Sequence, residues 1–498
     1  MKITRRNILL GAGAGLVSTA ATALARGQDH EGHDLSKMPG MEAPAAAPPV
    51  ARPRRGAGKV RTLNGWTLPY RTNNGVKEFH LVAEEFEHDF APGSKAICWG
   101  YNGSTPGPTI EAVEGDRVRI FVTNHLREAT TIHWHGLLLP SGMDGVGGLN
   151  QPQIKPGETF AYEFTLRQHG THMYHPHADE MVQMAQGMMG LFIIHPRAGE
   201  AVPVDRDYAF LLHNFALHPG TRRPDPSVMQ DFDLWTFNSK VFPAIDPIVA
   251  RTGERVRIRV GNLSMWNHPI HLHGVQFHVT GGDGGRWPRP QWRSEVTEII
   301  GVGQMRDIEF EAVAGDWAFH CHMSHHTMGP MGHEIPNTLG VDQSGVEEKI
   351  RRMLPGYMAM GETGMAEHQD HTDSGHMQGP PNTLAMMAGK GPFGNIEMGG
   401  MFTVVKVRDD LAAGDYGDPG WYRNPPGTVA RRISSDPAFG KPPRRDAQVL
   451  RAQDAQEQPP RRDAQVLRAQ DAQEPPPRRD AQVLRAQDAQ EPPPHHNR

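Results

Sequence analysis

The chain has 498 residues, enough for two or three domains, and a formal net charge of −5 at pH 7. The charge is small and no basic block is present, so nothing in the composition indicates a nucleic-acid-binding protein. Histidine and methionine are frequent, with 28 and 24 residues, and both side chains are metal ligands. The two cysteines could form one disulfide, but Cys321 is better explained as a metal thiolate and Cys98 as a buried free thiol.

Residues 1–25 are predicted to be a twin-arginine signal peptide. The pair Arg5-Arg6 precedes an apolar run rich in Gly and Ala, and Ala23-Leu24-Ala25 has the small-residue pattern of a cleavage site. The apolar run is too short for a transmembrane helix, so we expect no membrane span. The twin-arginine route exports folded proteins, and we therefore expect a bacterial periplasmic protein.

Residues 26–75 are rich in Ala, Pro, Arg and Gly, and this composition predicts a flexible linker. From about residue 76 the pattern changes to short β-type runs, such as residues 117–123, separated by Gly, Pro, Asn and Asp. This alternation predicts an all-β sandwich rather than an α/β fold.

An internal repeat indicates two related domains. Residues 115–124 recur at 253–262, and the same offset of 138 positions places His133 on His271 and His135 on His273. We therefore expect two tandem Greek-key β-sandwiches, at residues 76–200 and 205–408.

The second domain is expected to contain an insertion. The last strand of the first domain, near 187–194, has its counterpart only at 397–405, which leaves residues 332–395, rich in Met, His and Gly, as an insertion. Residues 409–498 form a polar tail with three repeats, spaced by 17 residues and beginning at Pro442, Pro459 and Pro476. Such a repeat cannot build a core, and a disordered or partly helical tail is predicted.

Histidines cluster in pairs separated by one residue, and residues i and i+2 of a strand point to the same face. The four pairs are His133 with His135, His175 with His177, His271 with His273, and His320 with His322. Cys321 and His268 are at odd offsets and face the other way. With His326 from the following loop they make the His₂Cys set of a type 1 copper, so that strand parity separates two metal sites.

These motifs resemble those of the multicopper oxidase family over residues 76–335 and the strand near 398–407. The resemblance implies sandwiches of cupredoxin type and four coppers per chain. The type 1 copper would be bound by His268, Cys321 and His326, and the spare His325 would not be a ligand. The type 2 copper would be bound by His133 and His271, and the type 3 pair by His135, His175, His177, His273, His320 and His322.

The sequence leaves the roles of three further residues open. The axial ligand of the type 1 copper would be Met331 by its spacing after His326, or Met398 by the register of the final strand. Asp144 matches the acidic residue that the family places near the cluster as a proton source, and it is equally well explained as a turn residue before Gly145.

The resemblance also implies an oligomer. The first domain has Thr130 and Pro176 where the second has His268 and Cys321, so only the second domain holds a type 1 site. His268 stands 91 positions after His177, which leaves no room for a middle domain. The chain is therefore similar to two-domain, laccase-like oxidases, in which the three-copper cluster forms between neighbouring chains of a homotrimer.

The implied reaction is laccase-like. Electrons from a phenol or aromatic amine would reach the Cys321 site and pass through His320 and His322 to the cluster, where O₂ is reduced to water. A cuprous oxidase for copper tolerance is the alternative, because thioethers of the insertion bind Cu(I). A copper-binding or electron-transfer protein without turnover is a third hypothesis. A copper nitrite reductase would need its cysteine at Pro176.

Overall fold

The computed structural model describes residues 60–432, except 219, 231, 329–331, 334–351, 353–358, 361–381, 383–388 and 397. The predicted signal peptide, most of the insertion with Met331, and the three repeats lie outside these residues. The described residues up to Pro425 belong to one compact unit. Among the described helices, none combines the length and the apolar character needed to span a membrane.

The first sandwich consists of a five-stranded and a four-stranded sheet. The five-stranded sheet has the order β2 (Arg71–Asn73), β3 (Val76–Ala91), β6 (Arg117–Asn124) and β8 (Thr159–Thr165), with β4 (Ser94–Tyr101) paired to β3. The four-stranded sheet has the order β5 (Gly107–Val113), β10 (Gly190–His195), β9 (Gly170–His175) and β7 (His133–His135). A 3₁₀ turn (Ser141–Met143) follows β7, and helix α1 (Glu180–Ala185) follows β9.

The second sandwich consists of an eight-stranded and a five-stranded sheet. The larger sheet has the order β1 (Arg61–Thr62), β11 (Arg206–Phe215), β14 (Arg255–Asn262), β20 (Met305–Glu311), β16 (Phe277–Gly282) and β17 (Gly285–Arg286), with β12 (Leu234–Phe237) on β11 and β18 (Arg293–Glu295) on β16. The smaller sheet has the order β13 (Ile248–Arg251), β26 (Phe402–Arg408), β21 (Gly315–Cys321), β15 (His268–Leu272) and β19 (Thr297–Ile300).

Short elements complete the described part. They are a 3₁₀ turn (Arg289–Gln291), helix α2 (Ser324–Met328), the parallel pair β22 (Gly332–His333) and β23 (Ala359–Met360), and the hairpin β24 (Gly389–Gly391) with β25 (Gly394–Ile396). The all-β fold class with two tandem cupredoxin-like sandwiches is confirmed.

Strands β10 and β11 are buried on both faces because they lie between two cores. On β10, Phe192 points into the core of the first sandwich and Leu191 points away from it. On β11, Phe210 points into the core of the second sandwich, and Leu211 joins Leu191 in a third cluster. The strand alternation therefore supplies a shared apolar layer that joins the two sandwiches.

A buried charge cluster lies in the same junction. Asp207 of β11 accepts hydrogen bonds from Arg257 at 2.6 Å and from Arg259 at 2.9 Å. Arg259 also donates to Thr171 of the first sandwich at 2.9 Å, and the Thr171 hydroxyl donates to Asp307 at 2.8 Å. Burial alone would raise the pKa of Asp207, but the two guanidinium groups outweigh it and hold that pKa far below its usual range.

The prediction that residues 26–75 form a flexible linker is wrong for residues 60–75, the part that the structure describes. Arg61–Thr62 pairs in parallel with Tyr208 and Ala209 of the second sandwich, and Arg71–Asn73 forms a hairpin with the start of β3. These short strands show little alternation of apolar and polar residues. They form because their partner strands offer free edges.

The prediction of a disordered tail from residue 409 is likewise wrong for its first part. Residues 409–425 contain no helix or strand, but Leu411 is buried and the backbone N–H of Tyr422 donates to Asp316 at 2.7 Å. The Arg206 guanidinium lies 4.3 Å above the Tyr416 ring. This segment therefore packs on the second sandwich through contacts of side chains rather than through the pairing of β-strands.

Candidate metal centres

His268, Cys321 and His326 meet in the core of the second sandwich, where none of them is exposed. Nδ1 of His268 lies 3.6 Å from the Cys321 sulfur and 3.1 Å from Nδ1 of His326. The Cys321 sulfur lies 3.3 Å from Nδ1 of His326. Two imidazole nitrogens and one sulfur therefore converge on a single point.

Strand parity produces this arrangement. On β15 the side chains of His268, Ile270 and Leu272 are buried, whereas His271 points to the other face. Strand β15 pairs antiparallel with β21 so that Ile270 lies opposite Cys321 and His271 lies opposite His320. One face of this ribbon consequently presents His268 and Cys321, which His326 of α2 completes to the His₂Cys set, and the other face presents histidines.

Burial keeps the His₂Cys set neutral when no metal is bound. It raises the pKa of Cys321 to about 12 and lowers the pKa of His268 to about 3 and of His326 to about 2. Neutral imidazoles are the form that binds metal, and a cation that binds here displaces the thiol proton. A buried His₂Cys set without a carboxylate suits copper.

Two residues that sequence reasoning missed orient these ligands. The Ser264 hydroxyl lies 2.7 Å from Nε2 of His268, and donation by that nitrogen leaves Nδ1 free for a metal. The Trp235 ring stacks on the His326 ring, with centroids 3.6 Å apart and planes 20° apart. No local signal in the sequence connects Trp235 or Ser264 with the site.

The first sandwich carries one half-set of four histidines. Nδ1 of His135 lies 3.2 Å from Nε2 of His175. The His133 ring lies 5.7 Å from His135, 5.4 Å from His175 and 5.7 Å from His177, measured between centroids. We call these four residues the first half-site.

The second sandwich carries the matching half-set. Nε2 of His273 lies 3.2 Å from Nε2 of His320. The His271 ring lies 4.7 Å from His273, 5.5 Å from His320 and 5.4 Å from His322, measured between centroids. We call these four residues the second half-site.

Backbone carbonyls fix the rings of both half-sites in the same way. In each half-site, two histidines place Nδ1 within hydrogen-bonding distance of a carbonyl, which leaves Nε2 as the free ligand atom. The pairs are His133 with Asp144 at 2.8 Å, His175 with Pro176 at 2.9 Å, His271 with Val296 at 2.6 Å, and His320 with Cys321 at 2.8 Å. The sequence repeat therefore extends to the orientation of the rings.

In the described part of the chain the two half-sites form separate groups. Among the described residues, no group of potential ligands combines histidines from both half-sites. The first half-site instead lines a cavity of about 600 Å³, together with Val302 and Gly303 of the second sandwich. Each half-site offers four imidazoles, and in the second half-site His273 and His322 are exposed.

Asp144 lies beside the first half-site. Its carboxylate is 3.5 Å from Nδ1 of His133, and its side chain is 34% exposed. The following Gly145 has φ of +93°, and a Cβ at this position would lie 1.7 Å from the Ile132 carbonyl oxygen. Only glycine therefore lets the turn approach β7 closely enough for the Asp144 carbonyl to hold His133. Asp144 is thus both a turn residue and an acid beside a predicted ligand.

Glu180 is a second acid that sequence reasoning missed. Its carboxylate lies 3.6 Å from Nδ1 of His175 and 3.7 Å from Nε2 of His177. It stands at the start of α1, three residues after His177, and this spacing was the only available signal.

The structure describes only one of the two candidate axial ligands. Met331 lies outside the described residues. Met398 is half-buried and packs against the small cluster of Phe242, Phe402 and Val404. The chain after Met398 adjoins the His₂Cys set, since the Met401 N–H donates to the His326 carbonyl at 3.0 Å. Met401 is buried in the same core as Cys321 and was not considered from the sequence.

Comparison with known proteins gives a consistent assignment. Two family models, both described as multicopper oxidase, match residues 83–199 and 218–338. Copper resistance protein A of Escherichia coli is 40% identical over 149 residues, which are 30% of this chain and 24% of that protein. L-ascorbate oxidase of Nicotiana tabacum is 38% identical over 155 residues, 30% of this chain and 26% of that protein. The matched part thus spans about a quarter of these relatives.

Among solved structures, the blue copper oxidase of Nitrosomonas europaea is 25% identical, with a TM-score of 0.49. That match covers 66% of this chain and 85% of the other. The family matches, the two β-sandwiches and the buried His₂Cys set define a copper protein of cupredoxin architecture. The chain belongs to the multicopper oxidase family, and its two-domain organisation fits the laccase-like type.

Proposed function

We propose that the protein is a laccase-like oxidase that couples one-electron oxidation of phenols or aromatic amines to the four-electron reduction of O₂ to water. The observation that carries the proposal is the position of Cys321. Its side chain belongs to the buried His₂Cys set, and its neighbours His320 and His322 belong to the second half-site. A single strand therefore links the electron-accepting site to the histidines of the O₂ site.

The donor chemistry of all three sets fits copper. His268, Cys321 and His326 would hold the type 1 ion, His133 and His271 the type 2 ion, and the remaining six histidines the type 3 pair, giving four coppers per chain. Bound copper supplies the one-electron redox chemistry and the activation of O₂. The protein keeps the His₂Cys set dry, fixes the imidazole tautomers through carbonyls and Ser264, and places Asp144 beside His133 for proton delivery.

We infer that the complete O₂ site forms between chains of a homotrimer. The separation of the two half-sites supports this, as does the exposure of His273 and His322 in the second half-site. A ring in which the first half-site of one chain meets the second half-site of the next is a heterologous contact that closes. Export by the twin-arginine route to the periplasm, proposed from residues 1–25, suits a protein that folds around metal before export.

We infer that Met398 is the axial ligand. The backbone contacts between residues 399–401 and the His326 segment support Met398 over Met331. Because loss of the axial donor leaves a three-coordinate site, which suits Cu(I) better than Cu(II), Met398→Leu is expected to raise the reduction potential of the type 1 copper. Redox titration of the blue band would measure this, with Met331→Leu as the matched control. A raised potential in Met331→Leu alone would assign the role to Met331.

The test of the oxidase proposal is O₂ uptake by the copper-loaded protein with a phenol, compared with its Cys321→Ser variant. We expect the wild type to consume O₂ and the variant to lose both the blue band and uptake, because the serine cannot supply a thiolate. Uptake that persists at the wild-type rate in Cys321→Ser would overturn the electron route.

A cuprous oxidase is the second candidate function. The methionines of the predicted insertion support it, as does the similarity to a relative named for copper resistance. Thioethers bind Cu(I) preferentially, and an enzyme that oxidises only phenols has no need to bind Cu(I) as its electron donor. Parallel O₂ uptake with Cu(I) and with a phenol ranks the two candidates.

A further inference from the structure

One carboxylate lies beside two of the predicted type 3 ligands. Glu180 is the first residue of α1, and its carboxylate lies 3.6 Å from Nδ1 of His175 and 3.7 Å from Nε2 of His177. Both distances are too long for hydrogen bonds but short enough for a direct interaction of charges. Nδ1 of His175 also lies 2.9 Å from the Pro176 carbonyl, so its proton faces two oxygens and Nε2 is left as the ligand atom.

Helix α1 is anchored by a buried polar contact. The buried Gln183 accepts a hydrogen bond from the Thr130 hydroxyl at 2.7 Å and donates to the Ala129 carbonyl at 2.8 Å. Thr130 stands at the repeat position of His268, so the first sandwich has this anchor where the second sandwich has a residue of the His₂Cys set. The anchor fixes the helix whose first residue is Glu180.

The second half-site has no such carboxylate in the part of the chain that the structure describes. There, no Asp or Glu lies within ion-pair distance of a ring nitrogen of its four histidines, whereas the first half-site has Glu180 and, at His133, Asp144. His320 follows His175 by 145 positions, and the same offset places His325 at the position of Glu180. The two half-sites therefore have the same imidazoles but different charge.

We propose that Glu180 is a positioning residue that makes the first half-site the half that retains copper. Its negative charge compensates the charge of copper bound by His175 and His177, and its contact with Nδ1 of His175 makes Nε2 of that ring a stronger donor. The first half-site then keeps copper in a single chain, before the second half-site of a neighbouring chain completes the O₂ site. The inference rests on the proposed function for the identity of the metal and adds an order in which the half-sites are filled.

Copper retention tests the order of filling in full-length chains that keep only one half-site. His273→Ala/His322→Ala leaves the first half-site, and His135→Ala/His177→Ala leaves the second. Each chain is loaded with Cu(II) and dialysed against increasing concentrations of a chelator, and the type 1 ion is counted separately by its blue absorption. We expect the first half-site to keep its copper at a chelator concentration about tenfold higher than the second half-site does. Equal retention, or better retention by the second half-site, would overturn the order.

The role of Glu180 is tested by substitutions in the chain that keeps the first half-site. Glu180→Gln removes the charge and is expected to lower the retaining chelator concentration about tenfold, and Glu180→Asp, which keeps the charge on a shorter side chain, is expected to lose less. Asp179→Asn is the matched control, because it removes the same charge one residue earlier from an exposed side chain that does not cap α1, and Asn tolerates the φ of +45° at this position. We expect the control to retain copper as well as its parent chain. Losses of the same size in Glu180→Gln and Asp179→Asn would contradict the proposal, since the charge at the helix end would then explain both.

Copper retention does not depend on turnover, so the role of Glu180 and the oxidase proposal fail separately. If the wild-type protein consumes no O₂ while Glu180→Gln still loses copper, the oxidase proposal fails and the role of Glu180 is supported. If the wild-type protein consumes O₂ and Glu180→Gln retains copper as well as its parent chain, the role of Glu180 is refuted and the oxidase proposal stands.

Discussion

Cys321 occupies its position because successive side chains of a strand point to opposite faces. This parity could be read from the spacing of the histidine pairs, and the sequence therefore predicted which residues share a face. The partners of those residues could not be predicted, because Ser264 reaches His268 through the conformation of the loop before β15, and Trp235 reaches His326 from β12 through packing. The axial ligand could not be assigned from the sequence either. The insertion separates Met331, which has the expected spacing after His326, from Met398, which has the register of the final strand. Without the insertion, one methionine would meet both criteria.

Asp144 gives a prediction at this scale. Its carbonyl holds His133 and its carboxylate lies 3.5 Å from the same ring, so Asp144→Asn removes the acid and keeps the turn. We expect O₂ reduction to slow on the order of 10²-fold, the effect of losing a positioned general acid, with the blue band unchanged. Stopped-flow reoxidation of the reduced protein measures this. The exposed Asp410→Asn is the control, and an unchanged rate in Asp144→Asn would remove that residue from the proton path.

Strands β10 and β11 show what could be predicted for whole elements. Their apolar runs indicated strands, and the repeat indicated two sandwiches. The outer faces of these strands form one shared layer because the two sandwiches pack against each other. A run of apolar residues does not reveal that packing. The short strands β1 and β2 were missed for the same reason, since their partners rather than their own residues determine them.

The junction between the sandwiches gives a stability prediction. Asp207→Asn leaves Arg257 and Arg259 short of a buried countercharge, and we expect it to lower the free energy of unfolding by about 3–5 kcal/mol. Glu87→Gln, which removes an exposed pair with Lys95, is the control and should change little. Urea unfolding at pH 7 measures both. A loss no larger than that of Glu87→Gln would show that the cluster does not hold the junction.

The pH dependence follows from the lowered pKa of Asp207. A carboxylate with a lower pKa in the folded than in the unfolded chain stabilises fully above its unfolded pKa, about 4, and loses this contribution as pH falls through the folded pKa. The difference between wild type and Asp207→Asn should therefore be constant from about pH 5 to 8 and narrow below about pH 4.

On the scale of the whole molecule, the two half-sites raise the question of how the three-copper site is assembled. Each chain carries a first and a second half-site that do not meet in its described residues, and the sequence repeat alone could not distinguish a contact within the chain from one between chains. The resemblance to two-domain oxidases predicted a trimer, and the separated half-sites support it.

A mixing experiment tests this assembly. One chain lacks the first half-site through His135→Ala/His177→Ala, and the other lacks the second through His273→Ala/His322→Ala. Neither is expected to consume O₂ alone. Co-expressed, they should recover about a quarter of wild-type uptake, because random assembly of a ring pairs two intact half-sites at one interface in four. Zero recovery in trimers shown to contain both chains would place the cluster within one chain.

The central claim is that one chain supplies one type 1 site and the equivalent of one complete three-copper site. The most direct measurement is the copper content of the purified, copper-loaded protein, determined together with its visible absorption and EPR spectra. We predict four coppers per chain, an intense blue band and a type 2 EPR signal. One copper per chain with a blue band and no type 2 signal would contradict the claim and would leave an electron-transfer or copper-binding protein.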